Sequence, residues 1–133
     1  MPAPARQFHT QQVHYLRFSP AFNTNGIAAG VQIGTLPAGA QIVDATVNVT
    51  TAFNAATTNV LAVGTTPTGA QVVTSAEAVA GTVGFKRGTA GGALSFAADT
   101  PLYCNFTQTG TAATTGAATI VIAFVPNNDP QPF

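Results

Sequence analysis

Hydrophobic and polar residues alternate along much of the chain with the period of two that is typical of half-buried β-strands. The clearest run covers about residues 41–50. There Val43, Ala45, Val47 and Val49 share one face, and Asp44, Thr46, Asn48 and Thr50 share the other. Turn residues precede this run, a loop through Phe53 and Asn54 follows it, and a second strand is predicted at about 59–64. Residues 35–65 are therefore predicted to form the central hairpin of an all-β domain.

Further strands are predicted wherever β-branched or aromatic residues lie between turn signals. They cover about residues 12–18, 27–34, 82–86, 93–96, 102–107 and 119–125. The last of them is apolar on both faces, which indicates a central strand or one that a neighbouring subunit covers. The total of roughly eight or nine short antiparallel strands favours a jelly-roll-like β-sandwich or barrel.

One short helical piece of one or two turns is predicted at residues 74–80. Thr74 or Ser75 could cap its start, and Glu77 would lie near the positive end of the helix dipole.

The chain is predicted to form a single domain with an arm at each end. Its 133 residues can bury one core, because a chain of this size removes roughly two-thirds of its unfolded surface from water. Residues 12–125 carry the strand pattern, whereas residues 1–11 and 126–133 contain several prolines and no apolar period. We expect these two segments to be extended N- and C-terminal arms.

Charge is scarce: 6% of the residues are charged and the formal net charge is zero. Such a chain has no positive electrostatic field that would attract nucleic acid or an anionic membrane, so neither partner is expected. A surface this poor in charge is better suited to contact with other protein than to water alone. The sequence also shows no apolar leader and no run of membrane-spanning length, which predicts a protein that stays in the cytoplasm where it is made.

The histidines and the single cysteine do not form a recognisable chemical site. His9 and His14 have no cysteine or carboxylate close by in sequence, so they are predicted to be surface or interface side chains rather than metal ligands. Cys104 alternates with Leu102 and Phe106 on one strand face. This pattern predicts a buried, inert thiol, because reactive cysteines need an accessible and electropositive setting.

The acidic residues are scattered, and Asp44 is predicted to pair with Arg17 or Lys86 across neighbouring strands. A two-carboxylate mechanism needs both groups in one cleft, which this spacing does not suggest. We therefore expect no enzyme, no cofactor and no metal.

Several segments resemble the small capsid decoration proteins of tailed bacteriophages, also called cement or head-stabilising proteins. They are LPAGAQIVDATVNVTTAFNAATTNVLAVGTTPTG, the proline-bearing ends and the closing strand TIVIAFVP. The resemblance as a whole covers most of residues 27–126. The resemblance implies a β-sandwich or jelly-roll that sits on the capsid exterior as a homodimer or homotrimer and clamps neighbouring major-capsid subunits. It also implies synthesis in the cytoplasm of a host bacterium, followed by assembly into the virion.

Candidate contacts with the shell or a sister subunit are placed on the arms and the exposed loops. They are Arg6, Phe8, His9, Phe53, Asn54, Lys86, Arg87, Pro130 and Phe133. The alternative function is a binding module, of the tail- or head-fibre type, that presents loops to a receptor or carbohydrate. The absence of tryptophan and the presence of only two tyrosines weigh against that alternative.

Overall fold

The computed structural model describes residues 13–89 and 96–126. These residues form seven β-strands. The strands are β1 (His14–Phe18), β2 (Val31–Leu36), β3 (Gln41–Thr51), β4 (Thr58–Gly64), β5 (Gly84–Gly88), β6 (Thr100–Thr109) and β7 (Ala117–Val125). A four-stranded sheet has the order β1-β7-β3-β5, a three-stranded sheet has the order β2-β6-β4, and all pairings are antiparallel. The predicted all-β sandwich is confirmed, with slightly fewer strands than expected.

The core lies between the two sheets and is built from alternate residues of the inner strands. Its largest fully buried side chains are Phe53, Phe106, Leu36, Ile42, Leu61, Leu102, Ile120, Ile122, Val47, Val49, Val63 and Val72. Burying an aliphatic or aromatic side chain of this size contributes about 1.5–3 kcal/mol. β7 lies between β1 and β3, which confirms that the strand with two apolar faces is central.

A β-bulge near the start of β3 changes which residues face the core. Ile42 pairs with Phe124 and Asp44 pairs with Ala123, so Val43 has no partner of its own on β7. The extra residue shifts the alternation by one. Ile42 is consequently buried, whereas Val43 is 55% exposed. The prediction that Val43 shares the buried face of the strand is wrong, although it holds for the positions from Ala45 to Val49.

The predicted central hairpin is also wrong, because β3 and β4 belong to different sheets. The segment 52–57 crosses from one sheet to the other instead of returning alongside β3. Phe53, in this crossing segment, is buried, and its ring lies 4.7 Å from that of Phe106 between centroids. Its amide donates a hydrogen bond to the carbonyl of Ala80. A large aromatic ring drives the chain across the sandwich because that path buries the ring's surface.

Residues 74–80 contain a single turn in place of the predicted short helix. The Ala78 amide donates to the Thr74 carbonyl at 3.3 Å. On either side of the turn, Val73 and Val79 form isolated β-bridges with residues of β4. These bridges hold both ends of the segment extended, so a second helical turn cannot follow.

Two other predicted strands differ from the structure. The strand expected at 27–34 begins only at Val31, because a turn precedes it in which the Gly30 amide donates to the Gly26 carbonyl. The strand expected at 93–96 lies outside the described residues except for Phe96, which is in no strand. Within the described ranges, no helix is long and apolar enough to span a membrane.

The carboxylate of Glu77 ties the turn at 74–80 to the end of β5. It accepts hydrogen bonds from the amides of Thr74 (2.8 Å) and Thr89 (3.1 Å). The hydrogen bond from Thr74, with a smaller contribution from Thr89, lowers the pKa of Glu77 below its ordinary value, against the opposing effect of desolvation. Glu77 therefore stabilises the fold as a carboxylate, by joining the turn that lies beside β4 to the end of β5 in the other sheet.

Replacing Glu77 with glutamine is expected to lower the free energy of unfolding by about 1 kcal/mol at neutral pH, the usual value of one or two lost hydrogen bonds. Since the folded pKa is depressed, the charged group contributes fully above the unfolded pKa of Glu and loses its contribution as the pH falls through the folded value. Denaturant unfolding of both proteins at pH 7 and pH 3 tests this. A difference that persists unchanged at pH 3 would contradict a role for the charge.

Candidate interaction surface

The outward-facing residues of the four-stranded sheet, here called the outer face, form rows across the strands. Strand register aligns Arg17, Val121, Thr46 and Arg87 in one row. A neighbouring row holds Tyr15, Ala123 and Asp44, and another holds Thr119, Asn48 and Phe85. Since residues two apart on a strand share a face, these rows together form one continuous surface.

An exposed ion pair joins two strands on the outer face. Arg87 Nε lies 3.1 Å from Asp44 Oδ1, and the guanidinium carbon lies 5.6 Å from the centroid of the Phe85 ring. The predicted partners of Asp44, Arg17 or Lys86, are wrong. Thr46 on β3 lies directly opposite Arg87 on β5. Asp44 is two residues from Thr46 and on the same face, so it is a diagonal neighbour of Arg87.

Lys86 alternates to the other face of β5, where its Nζ donates to Thr82 Oγ1 at 3.3 Å. Exposed ion pairs such as Asp44–Arg87 contribute about 0–1 kcal/mol. The pair therefore orders Arg87 and neutralises this part of the outer face more than it stabilises the domain.

Five of the six exposed large apolar side chains of the described residues lie in strands of the four-stranded sheet or immediately before them. They are Val13, Tyr15, Val43, Val83 and Phe85. The sixth, Val79, lies beside β4 of the three-stranded sheet. The exposed positions of the central strand in the three-stranded sheet instead carry threonines, Thr107 and Thr109. The two sides of the sandwich therefore differ in the chemistry that they offer to a partner.

The loop residues predicted as contacts have structural roles within the domain. Phe53 belongs to the core and does not reach the surface. Asn54 is exposed, but its Oδ1 accepts hydrogen bonds from the amides of Thr114 (2.7 Å) and Thr115 (3.0 Å). Its Nδ2 donates to Thr114 Oγ1. The Asn54 amide group thus joins the crossing segment to the loop before β7.

Of the other predicted contacts, the structure places Lys86 and Arg87 on β5, half-buried and exposed respectively. The remaining ones lie outside the described residues: Arg6, Phe8, His9, Pro130 and Phe133. Sequence reasoning missed Tyr15, Val43 and Phe85 as surface residues. Tyr15 could have been found, since it alternates with Leu16 and Phe18, which pack against the core. Val43 could not, because its exposure depends on the bulge.

The titratable groups of the described residues do not converge on a site. His14 is exposed, and its ring stacks on that of Phe124 with 5.8 Å between centroids. Among residues 13–89 and 96–126, no three histidine, cysteine, aspartate or glutamate side chains come together as a metal ion would require.

Cys104 is fully buried between the sheets, as are Leu102 and Phe106 on the same strand face. Desolvation raises the pKa of its thiol to about 12. The thiol is therefore protonated at neutral pH and lacks the thiolate that reacts with electrophiles. The predicted buried thiol is confirmed.

We expect Cys104 in the folded protein to resist a thiol-specific dye at pH 8 and to react at once in denaturant. Above the ordinary thiol pKa of about 8.5 the unfolded chain releases a proton that the folded chain keeps, so stability should fall as pH rises further. Rapid labelling under native conditions would show instead that the two sheets separate readily enough to expose β6.

Comparison with known proteins gives a structural likeness without a sequence match. No protein-family model and no curated protein sequence matches the chain. A chain of the cyanophage Pam1 capsid asymmetric unit superposes with a TM-score of 0.70 at 20% identity, covering 93% of this chain and 91% of that one. A chain of the acid-stable capsid structure of Helicobacter pylori bacteriophage KHP30 gives 0.65 at 12% identity, covering 91% and 93%. This protein shares its fold with chains of phage capsids. Both likenesses extend over about nine-tenths of this chain.

Proposed function

We propose that this protein is a structural virion component that binds the exterior of a bacteriophage capsid and cements neighbouring major-capsid subunits. The observation that carries the proposal is the fold likeness to chains in two phage capsid structures. Each comparison covers about nine-tenths of both partners, so the matched chains have nearly the same length as this one. The likeness therefore spans nearly the full length of each matched chain instead of one part of a much longer chain.

The surface chemistry supports a binding role without catalysis. The chain has few charges, and most of the large exposed apolar groups of its described residues lie in or next to strands of the four-stranded sheet. Such a surface gains free energy when another protein covers it. We propose that the contact is multiplied by self-association as a homodimer or homotrimer, since linked contacts can raise avidity by about 10² to 10⁴ over a single one.

The two arms, residues 1–11 and 126–133, complete the proposed mechanism. An extended segment that orders on binding can reach a neighbouring shell subunit while the sandwich rests on another. One protein then contacts two subunits, which is what cementing requires.

The proposed function is tested by adding the full chain to purified shells that lack it. Co-sedimentation should show saturable binding, and bound shells should survive a higher temperature before they release their contents. Light scattering of the free protein gives its oligomeric mass. A full chain that neither sediments with shells nor protects them would rule out the cementing role.

Removal of both arms should weaken shell binding by about 10² or more, because it deletes one of the linked contacts. Variants that lack only residues 1–11 or only 126–133 serve as matched controls. Their affinity for shells should lie between that of the full chain and that of the chain without either arm. Thermal unfolding of each variant checks that the sandwich is intact. If the armless sandwich binds and protects shells as well as the full chain does, the arms have no part in cementing.

A further inference from the structure

Three exposed apolar side chains lie together at one end of the outer face. Tyr15 and Asp44 both pair with Ala123, and the bulge in β3 adds Val43 beside Asp44. Val13 directly precedes β1. Tyr15 is 65% exposed, Val43 55% and Val13 44%, whereas Ala123 between them is almost covered. We call Val13, Tyr15 and Val43 the apolar patch.

Both terminal segments of the chain join the described structure at the margin of the apolar patch. His14 pairs with Phe124 and Gln41 pairs with Val125, so β1 begins at the end of the sheet where β7 ends. Residues 1–12 therefore meet the described structure at Val13, and residues 127–133 meet it at Pro126. A partner held by either segment is thereby brought close to the patch.

The charges around the patch indicate a neutral partner. Asp44, the nearest carboxylate in the register, is already paired with Arg87. The next row contributes Arg17 at the sheet edge, beside the uncharged Val121. Arg17 shares a strand face with Tyr15 and adds one positive charge next to the patch. The patch itself carries no charge, so recognition there depends mainly on burial of apolar surface.

Given the proposed function, on which this inference rests, we propose that the apolar patch is the surface of the sandwich that docks on the capsid shell. Its partner is an uncharged, apolar surface of a major-capsid subunit. Contact through a terminal segment raises the effective concentration of that subunit at the patch, so even a small apolar area there adds to the affinity. The three-stranded side, with threonines at its exposed central positions, faces away from the shell.

The test places one lysine on each side of the sandwich. Val43→Lys inserts a charge into the patch, and Thr107→Lys inserts the same charge at an exposed position of β6, on the opposite side. Tyr15→Gln is a second patch variant that adds no charge. Binding to purified shells lacking the protein is measured by co-sedimentation, and the mass of each free variant is measured by light scattering. Thermal unfolding confirms that each variant is folded.

We expect Val43→Lys to weaken shell binding by about tenfold or more, the effect of losing a small buried apolar contact and desolvating a charge. Tyr15→Gln should weaken it by a smaller factor, and Thr107→Lys should bind as the unaltered protein does. If the unaltered protein binds shells and both patch variants bind them as well as it does, the apolar patch is not the docking surface, while the proposed function stands. A Val43→Lys variant that loses its oligomeric mass but still binds shells would show that the patch joins copies of this chain, which also overturns the inference. If unaltered protein does not bind shells, the proposed function itself fails.

Discussion

Replacing Phe53 with alanine is expected to lower the free energy of unfolding by about 3–5 kcal/mol. The ring lies in the core, 4.7 Å from that of Phe106, and holds the segment that crosses between the sheets. Small domains are stable by only about 5–15 kcal/mol, so this loss is a large share of the total. Denaturant unfolding followed by fluorescence or circular dichroism gives the difference directly.

Phe85→Ala is the matched control, since it removes the same ring from a position that is 62% exposed. Its effect should stay within about 0.5 kcal/mol, as for most surface substitutions. Similar losses at the two positions would mean that the crossing segment is not anchored by its aromatic ring.

Gly30→Ala is expected to cost about 3 kcal/mol or more, enough to reduce the yield of folded protein sharply. The φ angle of Gly30 is +107°, and a Cβ atom there would overlap the backbone of Pro67. Neither the backbone at residue 30 nor that of the turn at Pro67 can move without disturbing the strand that adjoins it. Soluble yield and thermal unfolding measure the effect.

Gly26→Ala separates the two causes. Gly26 also has a positive φ, +79°, but the nearest heavy atom to an added Cβ would be Val31 Cγ2 at 3.9 Å. The free energy of unfolding of this variant should fall only by the conformational cost of a positive φ, about 1–2 kcal/mol. If Gly30→Ala is no worse than Gly26→Ala, the close approach to Pro67 does not constrain the fold.

Local alternation predicted well which face of a strand is buried. Leu102, Cys104 and Phe106 face the core as expected, and β7 is central as its two apolar faces indicated. Alternation depends on neighbouring residues of one strand, so it needs no knowledge of the partner strand.

Partner choice could not be predicted in the same way. The residues that follow β3 look like a hairpin connection, but Phe53 buries itself against Phe106, a residue more than fifty positions away. The bulge at Val43 likewise depends on the register with β7. The exposed valine that completes the apolar patch was therefore out of reach of sequence reasoning, whereas Tyr15 was within it.

The sheet order also determines when the chain can fold. β6 is the centre of the three-stranded sheet, and β7 joins β1 to β3 in the other. These two strands are the last of the described structure to be synthesised. β2 and β4 therefore remain without β6, and β1 and β3 without β7, until late in synthesis. Because long-range pairing must precede the formation of either sheet, we expect slow, late and cooperative folding. Until β7 emerges, β1 and β3 expose unpaired edges, and crowded nascent chains could associate through them.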